Sequence, residues 1–266
     1  MARSVTPQCG IGLHRYGGNT PTSQIAAWVC RQTGGFSPTT RPPRVSRSLD
    51  AMTSDGQPGN QAGEQQVIET ERKYDVGADF VLPDLGGPST GEMSLPEMQD
   101  LTATYFDTAG LRLAEAHITL RRRTGGTDAG WHIKLPVTAD TRRELHFPLG
   151  EPTATVPGEV AGEVARWTGG EQLAPVALLR TERTVRRLVG PAGDVLAEVA
   201  DDRVTGSRPD PVDPARWQQA DAWREIEVEL VCGTRDVLDA ATARLTEAGA
   251  RPSPSASKLA RVLGTS

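Results

Sequence analysis

From residue 65 onward, polar and apolar positions alternate in a two-residue period. In the run 68–74, Glu69, Glu71 and Lys73 share one face of an extended strand, and Ile68, Thr70, Arg72 and Tyr74 share the other. The period returns at 224–230, where Glu225, Glu227 and Glu229 oppose Ile226, Val228 and Leu230. Between these runs, Arg121 and Arg123 are in phase with Thr119, and His132 and Lys134 oppose Trp131, Ile133 and Leu135. Arg142 and Glu144 oppose Leu145 and Phe147, and Glu198 is in phase with Asp202. The pattern predicts strands over 67–76, 102–107, 116–124, 130–137, 142–149, 180–189, 194–203 and 223–231, with turns at Gly125-Gly126, Gly190-Pro191 and Ala192-Gly193. Helical spacing is confined to Glu159–Trp167, to Asp236–Ala248 with Thr234 as cap and Gly249 as stop, and to a short segment at Ser257–Leu263. About eight strands with mostly short connections point to a mainly β (α+β) chain, an antiparallel barrel or sandwich with a few helices.

Any one of these strands reads as a half-buried sheet strand with its charged face in water. Taken together they suggest something else, because the polar faces carry almost pure Glu or pure Arg and Lys. In an inverted barrel, the apolar faces pack outward against helices and the ionic faces line a wet channel. Carboxylates there are hard oxygen ligands for divalent cations, and arginines form forked contacts with phosphate oxygens. The two signs together describe a site for a metal-bound polyphosphate.

Composition narrows the setting. The chain has 266 residues and a net charge of -5, which argues against a bulk nucleic-acid binder. No apolar run reaches the roughly 20 residues that span a bilayer, and no basic-apolar-small leader opens the chain. Cys9, Cys30 and Cys232 show no metal-ligand spacing, so a reducing cytoplasm is the expected location. Residues 1–64 are rich in Gly, Pro, Ser, Thr and Gln and read as a disordered extension, with 65–266 as the folded domain. Met52 opens a short polar leader into the first strand and is a candidate true start.

The ordered motifs resemble the CYTH superfamily, the triphosphate tunnel metalloenzymes. The Glu-x-Glu-x-Lys signature matches Glu69, Glu71 and Lys73, and the Tyr-Phe-Asp-Thr strand matches Tyr105 to Thr108. Leu-Arg-x-Arg matches Leu120 to Arg123, the next lysine matches Lys134, and Arg-x-Glu matches Arg142 and Glu144. A later basic strand matches Arg180 and Arg183, and Glu-x-x-x-Asp matches Glu198 and Asp202. Glu-x-Glu-x-Glu matches Glu225, Glu227 and Glu229, and the late Ser-Lys matches Ser257 and Lys258. The resemblance covers about residues 66–263 and includes no CHAD domain.

It implies an eight-stranded antiparallel tunnel that binds a triphosphate-containing small molecule with Mg2+ or Mn2+. Inorganic triphosphate or thiamine triphosphate would be hydrolysed. ATP cyclisation, or a non-catalytic polyphosphate- or nucleotide-binding module, are the alternatives. Arg121, Arg123, Lys134, Arg142, Arg180, Arg183 and Lys258 would bind the phosphates. Glu69, Glu71, Asp202, Glu225, Glu227 and Glu229 would ligate metal. Lys73, with Glu69 and Glu71, would serve the reaction, and Glu144 and Glu198 would form ion pairs. His117, His132 and His146 show no triad or zinc spacing and read as structural or peripheral. His132, in phase with Lys134, is the best candidate for an exception. Trp131, Trp167, Trp217 and Trp223 read as packing residues and Cys232 as a small buried one. The oligomeric state is left open.

Overall fold

The computed structural model describes residues 65–151 and 155–265, so the expectations for residues 1–64 and Met52 lie outside the described residues. The chain runs β1 (Gln65–Val76), β2 (Glu92–Met93), β3 (Glu97–Asp107), α1 (Arg112–Glu115), β4 (Thr119–Thr124), β5 (Gly130–Pro136), β6 (Thr141–Pro148), α2 (Gly158–Thr168), β7 (Ala174–Val189), β8 (Val195–Pro209), β9 (Trp217–Leu230), α3 (Arg235–Glu247), β10 (Arg251–Pro252) and α4 (Lys258–Leu263). The sheet order β1-β6-β5-β4-β3-β7-β8-β9 closes through a β1–β9 pairing into an eight-stranded antiparallel barrel. The two-residue strands β2 and β10 attach to β7 and β1.

Closure depends on β1 changing partners midway. Its first half pairs with β6, placing Glu69 opposite Arg142. Its second half pairs with β9, placing Glu71 opposite Glu229 and Lys73 opposite Glu227. The two acidic runs, more than 150 residues apart in the chain, therefore share a ladder.

The apolar faces pack outward, as the inverted reading requires. Tyr74, Val199, Ile226 and Val228 meet Val237, Leu238, Ala241 and Leu245 of α3. Phe106, Leu120, Trp131, Ile133 and Leu145 meet Leu113 of α1 and Val160 and Val164 of α2. Burying each large side chain contributes about 1.5–3 kcal/mol, enough for these outer layers to hold a barrel whose interior is ionic. The third helix contact is different. Leu259 and Val262 of α4 pack on Ala103, Tyr105, Leu179 and Val204. These share the inward phase of Arg183 and Asp202, so α4 seats against the barrel's inner wall. Ser257 caps it, accepting a 3.0 Å bond from Ala260 N–H.

Several expected boundaries move. β3, β7, β8 and β9 are longer than the alternation predicted, and the strand expected from 116 starts at Thr119. The short α1 was not anticipated. It is organised by the buried Asp107 carboxylate, which accepts from the N–H groups of Thr108, Leu113 and Ala114 at 2.7–2.9 Å. Leu111 and His117 flank it at positive φ, a local conformation with no periodic signature. Thr234 does cap α3 in position, but its side chain makes no cap bond to the backbone. At the β4–β5 turn, a Cβ on Gly125 would lie 1.9 Å from the Asp100 carbonyl, so only glycine fits. Among the described residues no helix is long and apolar enough to cross a membrane.

Candidate active site

The barrel encloses a cavity of about 330 Å³ whose walls differ in charge. On the β1–β9 side, Glu69, Glu71 and Glu229 bring carboxylate oxygens within 4.8 Å of one another. Burial, then the Glu69 charge, pushes the Glu229 carboxyl well above the usual range, against the pull of Lys134. Burial also raises Glu69, although Lys134 donates to both its oxygens at 2.6 and 2.5 Å. With all three ionised, this group would carry more negative charge than Lys134 and Lys73 offset. Hard, clustered oxygen donors with surplus charge fit Mg2+ or Mn2+.

A second carboxylate group, Asp202, Glu225 and Glu227, is equally compact but already neutralised. Lys258 reaches Asp202 at 2.9 Å and Glu225 and Glu227 at 2.6 Å each. Arg183 forks onto Asp202 at 2.7 and 2.6 Å and reaches Glu227 at 2.8 Å. Lys73 bonds Glu227 and lies 2.7 Å from Glu71. Burial opposes ionisation of Glu227, but Lys258, Lys73 and Arg183 outweigh it and hold the carboxyl well below its usual range. Burial likewise opposes charge on Lys73, and Glu227 and Glu71 outweigh it and keep the ammonium protonated.

The opposite wall is basic. Arg121 approaches Tyr105 Oη at 3.5 Å and Glu144 at 3.7 Å, and its Nε is buried without a hydrogen-bond partner. Arg123 is buried against Arg121 and Arg183, with Asp128 as its ion-pair partner. Burial and those two guanidiniums push Arg123 down to about 9. An arginine so placed remains charged and favours any anion that enters. Glu144 accepts from His132 Nδ1 at 3.0 Å and lies 3.2 Å from His146 Nε2 and 3.8 Å from Lys134.

Most of the expected residues converge on this cavity. Glu69, Glu71, Lys73, Arg121, Arg123, Lys134, Arg142, Glu144, Arg183, Glu227, Glu229 and Lys258 line it, and Glu198 reaches its rim paired with Arg187 at 2.9 Å. Glu225 and Asp202 join through Lys258. Arg142 lies on the wall, but its Nη1 donates to the Thr138 carbonyl at 2.9 Å. Arg180 does not converge. It is exposed opposite Thr102 and Thr205, on the outer face of β7, because inward positions there are 179, 181 and 183. The motif match gives Tyr105 no role of its own, and the histidine spacing reads His132 and His146 as structural or peripheral, with His132 the best candidate for an exception. All three touch the ionic network, and phase with Lys134 and Glu144 was the signal available for the histidines.

A family model described as CYTH domain matches residues 67–263. Two curated relatives, the uncharacterized proteins Rv2226 and MT2285 of Mycobacterium tuberculosis strains H37Rv and CDC 1551, are each 42% identical over 206 residues. The match covers 74% of this chain and 40% of theirs, so it spans well under half the length of these relatives. Among solved structures, HpAC1 of Hippeastrum, described as having a dominant triphosphatase activity, is 17% identical with a TM-score of 0.47, covering 75% of this chain and 96% of its own. Protein bh2851 of Bacillus halodurans, which carries an adenylate cyclase name, is 17% identical with a TM-score of 0.46, covering 74% and 97%. The family model, which spans almost the whole described barrel, carries the assignment: this chain belongs to the CYTH domain family.

Proposed function

We propose that the barrel hydrolyses a terminal phosphoanhydride of a triphosphate, with inorganic triphosphate as the first substrate to test and thiamine triphosphate as the second. The observation that carries this reading is the facing of two unlike walls in one cavity. Arg121 and Arg123 of β4 stand across the barrel from the carboxylates of Glu69, Glu71 and Glu229, and Lys134 and Arg183 line the cavity between the two walls. A bare phosphate chain with a divalent cation satisfies both walls at once.

Glu69, Glu71 and Glu229 would hold Mg2+ or Mn2+. When bound, the ion would offset charge on the triphosphate and lower the pKa of a ligated water. Asp202, Glu225 and Glu227 instead anchor Lys258, Arg183 and Lys73, fixing these cations in the channel. Arg121, Arg123 and Arg183 would grip non-bridging oxygens, and the fixed positive charge would offset the charge that grows on the leaving phosphate. Lys73 stays an ammonium, which supports a role in orienting the terminal phosphate and argues against a role as base.

Phosphate release from inorganic triphosphate, thiamine triphosphate and ATP, each with Mg2+, Mn2+ or EDTA, tests the reading. Metal-dependent release that favours one substrate is expected. Binding without release would leave a non-catalytic module, and cyclic AMP from ATP would leave a cyclase.

A further inference from the structure

We infer that His132 is a positioning residue: it holds Glu144 off Arg121 and so keeps that guanidinium available to an anion. The inference rests on the triphosphate reading above.

Glu144 lies among two histidines and two cations, and its nearest contacts are the histidines. His132 Nδ1 lies 3.0 Å from Oε1 and His146 Nε2 3.2 Å from Oε2, whereas Arg121 and Lys134 stand at 3.7 and 3.8 Å. Lys134 is instead spent on Glu69. Beyond its loose ion pair with Glu144, Arg121 makes a 3.5 Å contact to Tyr105 Oη, with its Nε buried and unbonded. An arginine and a buried carboxylate this close would ordinarily form a fork of two short bonds. His132 prevents it by occupying Oε1, the same oxygen that Arg121 approaches.

Strand register builds the clamp. His132 and His146 are directly paired across β5 and β6, with ring centroids 4.5 Å apart, and Lys134 is paired with Glu144. His132 is 1% exposed, and its other nitrogen lies 2.9 Å from the Asp128 carbonyl. Burial pushes His132 down to about 3 against the Glu144 hydrogen bond, with Arg121 and Arg123 adding to the fall. Both ring nitrogens face oxygen acceptors, and we assign a proton to Nδ1, since a carboxylate is the stronger acceptor. The same three side chains could ligate a metal ion in isolation, but a divalent cation there would press against Arg121, Arg123 and Lys134. Cation repulsion favours the clamp.

Two isosteric variants separate positioning from packing. In His132→Asn the amide nitrogen falls near Nδ1 and still donates to Glu144. In His132→Gln it falls near Nε2, reaches Asp128 and abandons Glu144. Each is to be compared with wild type for tripolyphosphate binding by calorimetry, for hydrolysis and for melting temperature. Asn is expected to bind within threefold of wild type. Gln is expected to bind at least tenfold more weakly, with KM raised more than kcat is lowered. Equal effects of the two variants, including equal loss of folding, would overturn the inference and make His132 a packing residue. Wild-type protein that neither binds nor hydrolyses tripolyphosphate would sink the functional reading, and this inference with it. Wild-type binding that survives unchanged in the Gln variant would sink this inference alone.

Discussion

Lys258 Nζ lies 2.6 Å from Glu227 Oε1, tying α4 to the inner face of β9. The same amino group reaches Asp202 and Glu225, so one cation from the last helix bridges three buried carboxylates. Removing one partner of a buried ionic group strands the others, at a cost of several kcal/mol. Lys258→Met should therefore destabilise the barrel by about 3 kcal/mol, read from chemical unfolding at neutral pH. Because the stranded carboxylates are oxygen donors, Mg2+ or Mn2+ should raise the melting temperature of the variant more than that of wild type. A variant as stable as wild type would show that Lys258 is dispensable to the cluster.

Arg180 and Arg183 offer a contrast within one strand. Arg183 forks onto Asp202 inside the barrel, and Arg180 faces outward beside Thr205. Arg183→Gln removes a charge proposed to face phosphate and a buried ion pair. Turnover of the preferred triphosphate should fall about 100-fold, the scale of losing one fixed electrostatic contact to a transition state. Arg180→Gln should stay within about twofold, since exposed changes away from special features have small effects. Equal losses in both would mean that substrate engages the outer groove.

The difference between these arginines also shows what could be read before the fold was known. Alternation in 68–74 and 224–230 was enough to separate ionic from apolar faces, and the outward packing of Ile226, Val228 and Tyr74 follows that phase. It was ambiguous at β7, where Leu178 and Leu179 are adjacent and both apolar, so parity had no anchor. Pairing was beyond reach as well. Nothing local says that Glu71 meets Glu229, which depends on β1 changing partners midway. The outer arm of β9 was missed because residues 217–220 are exposed, so burial imposes no pattern there. Likewise α1 follows from the Asp107 carboxylate and not from helical periodicity.

Glu229 and Glu198 should respond differently to loss of the carboxylate. Glu229 sits in the group with surplus negative charge, and Glu198 is held by Arg187 at the rim. Glu229→Gln should weaken Mg2+ or Mn2+ binding at least tenfold, measured by calorimetry on EDTA-treated protein, because it removes one hard charged oxygen ligand. Glu198→Gln should leave metal affinity unchanged. If instead Glu198→Gln were the damaging change, the metal would belong nearer the rim than the β1–β9 ladder.

Glu144 gives the acid limb of stability. Burial would raise its carboxyl, but Lys134, His132, His146 and Arg121 outweigh that and hold it well below the ordinary value of 4.5. A carboxylate depressed in the folded state binds fewer protons there than in the unfolded chain. Its contribution is fully present above about pH 4.5 and is lost as pH falls through the lower folded value. Wild-type stability should therefore drop as pH is taken below 4.5, and Glu144→Gln, which has no proton to take up, should show a shallower slope across that window. At neutral pH the variant should itself be less stable, by about 2–4 kcal/mol, since Lys134 and Arg121 lose a buried counter-charge. Unfolding midpoints from pH 3 to 7 on both proteins measure the two effects together. Parallel stability curves would show that Glu144 carries no linkage and that the acid response comes from the Asp202 and Glu227 cluster.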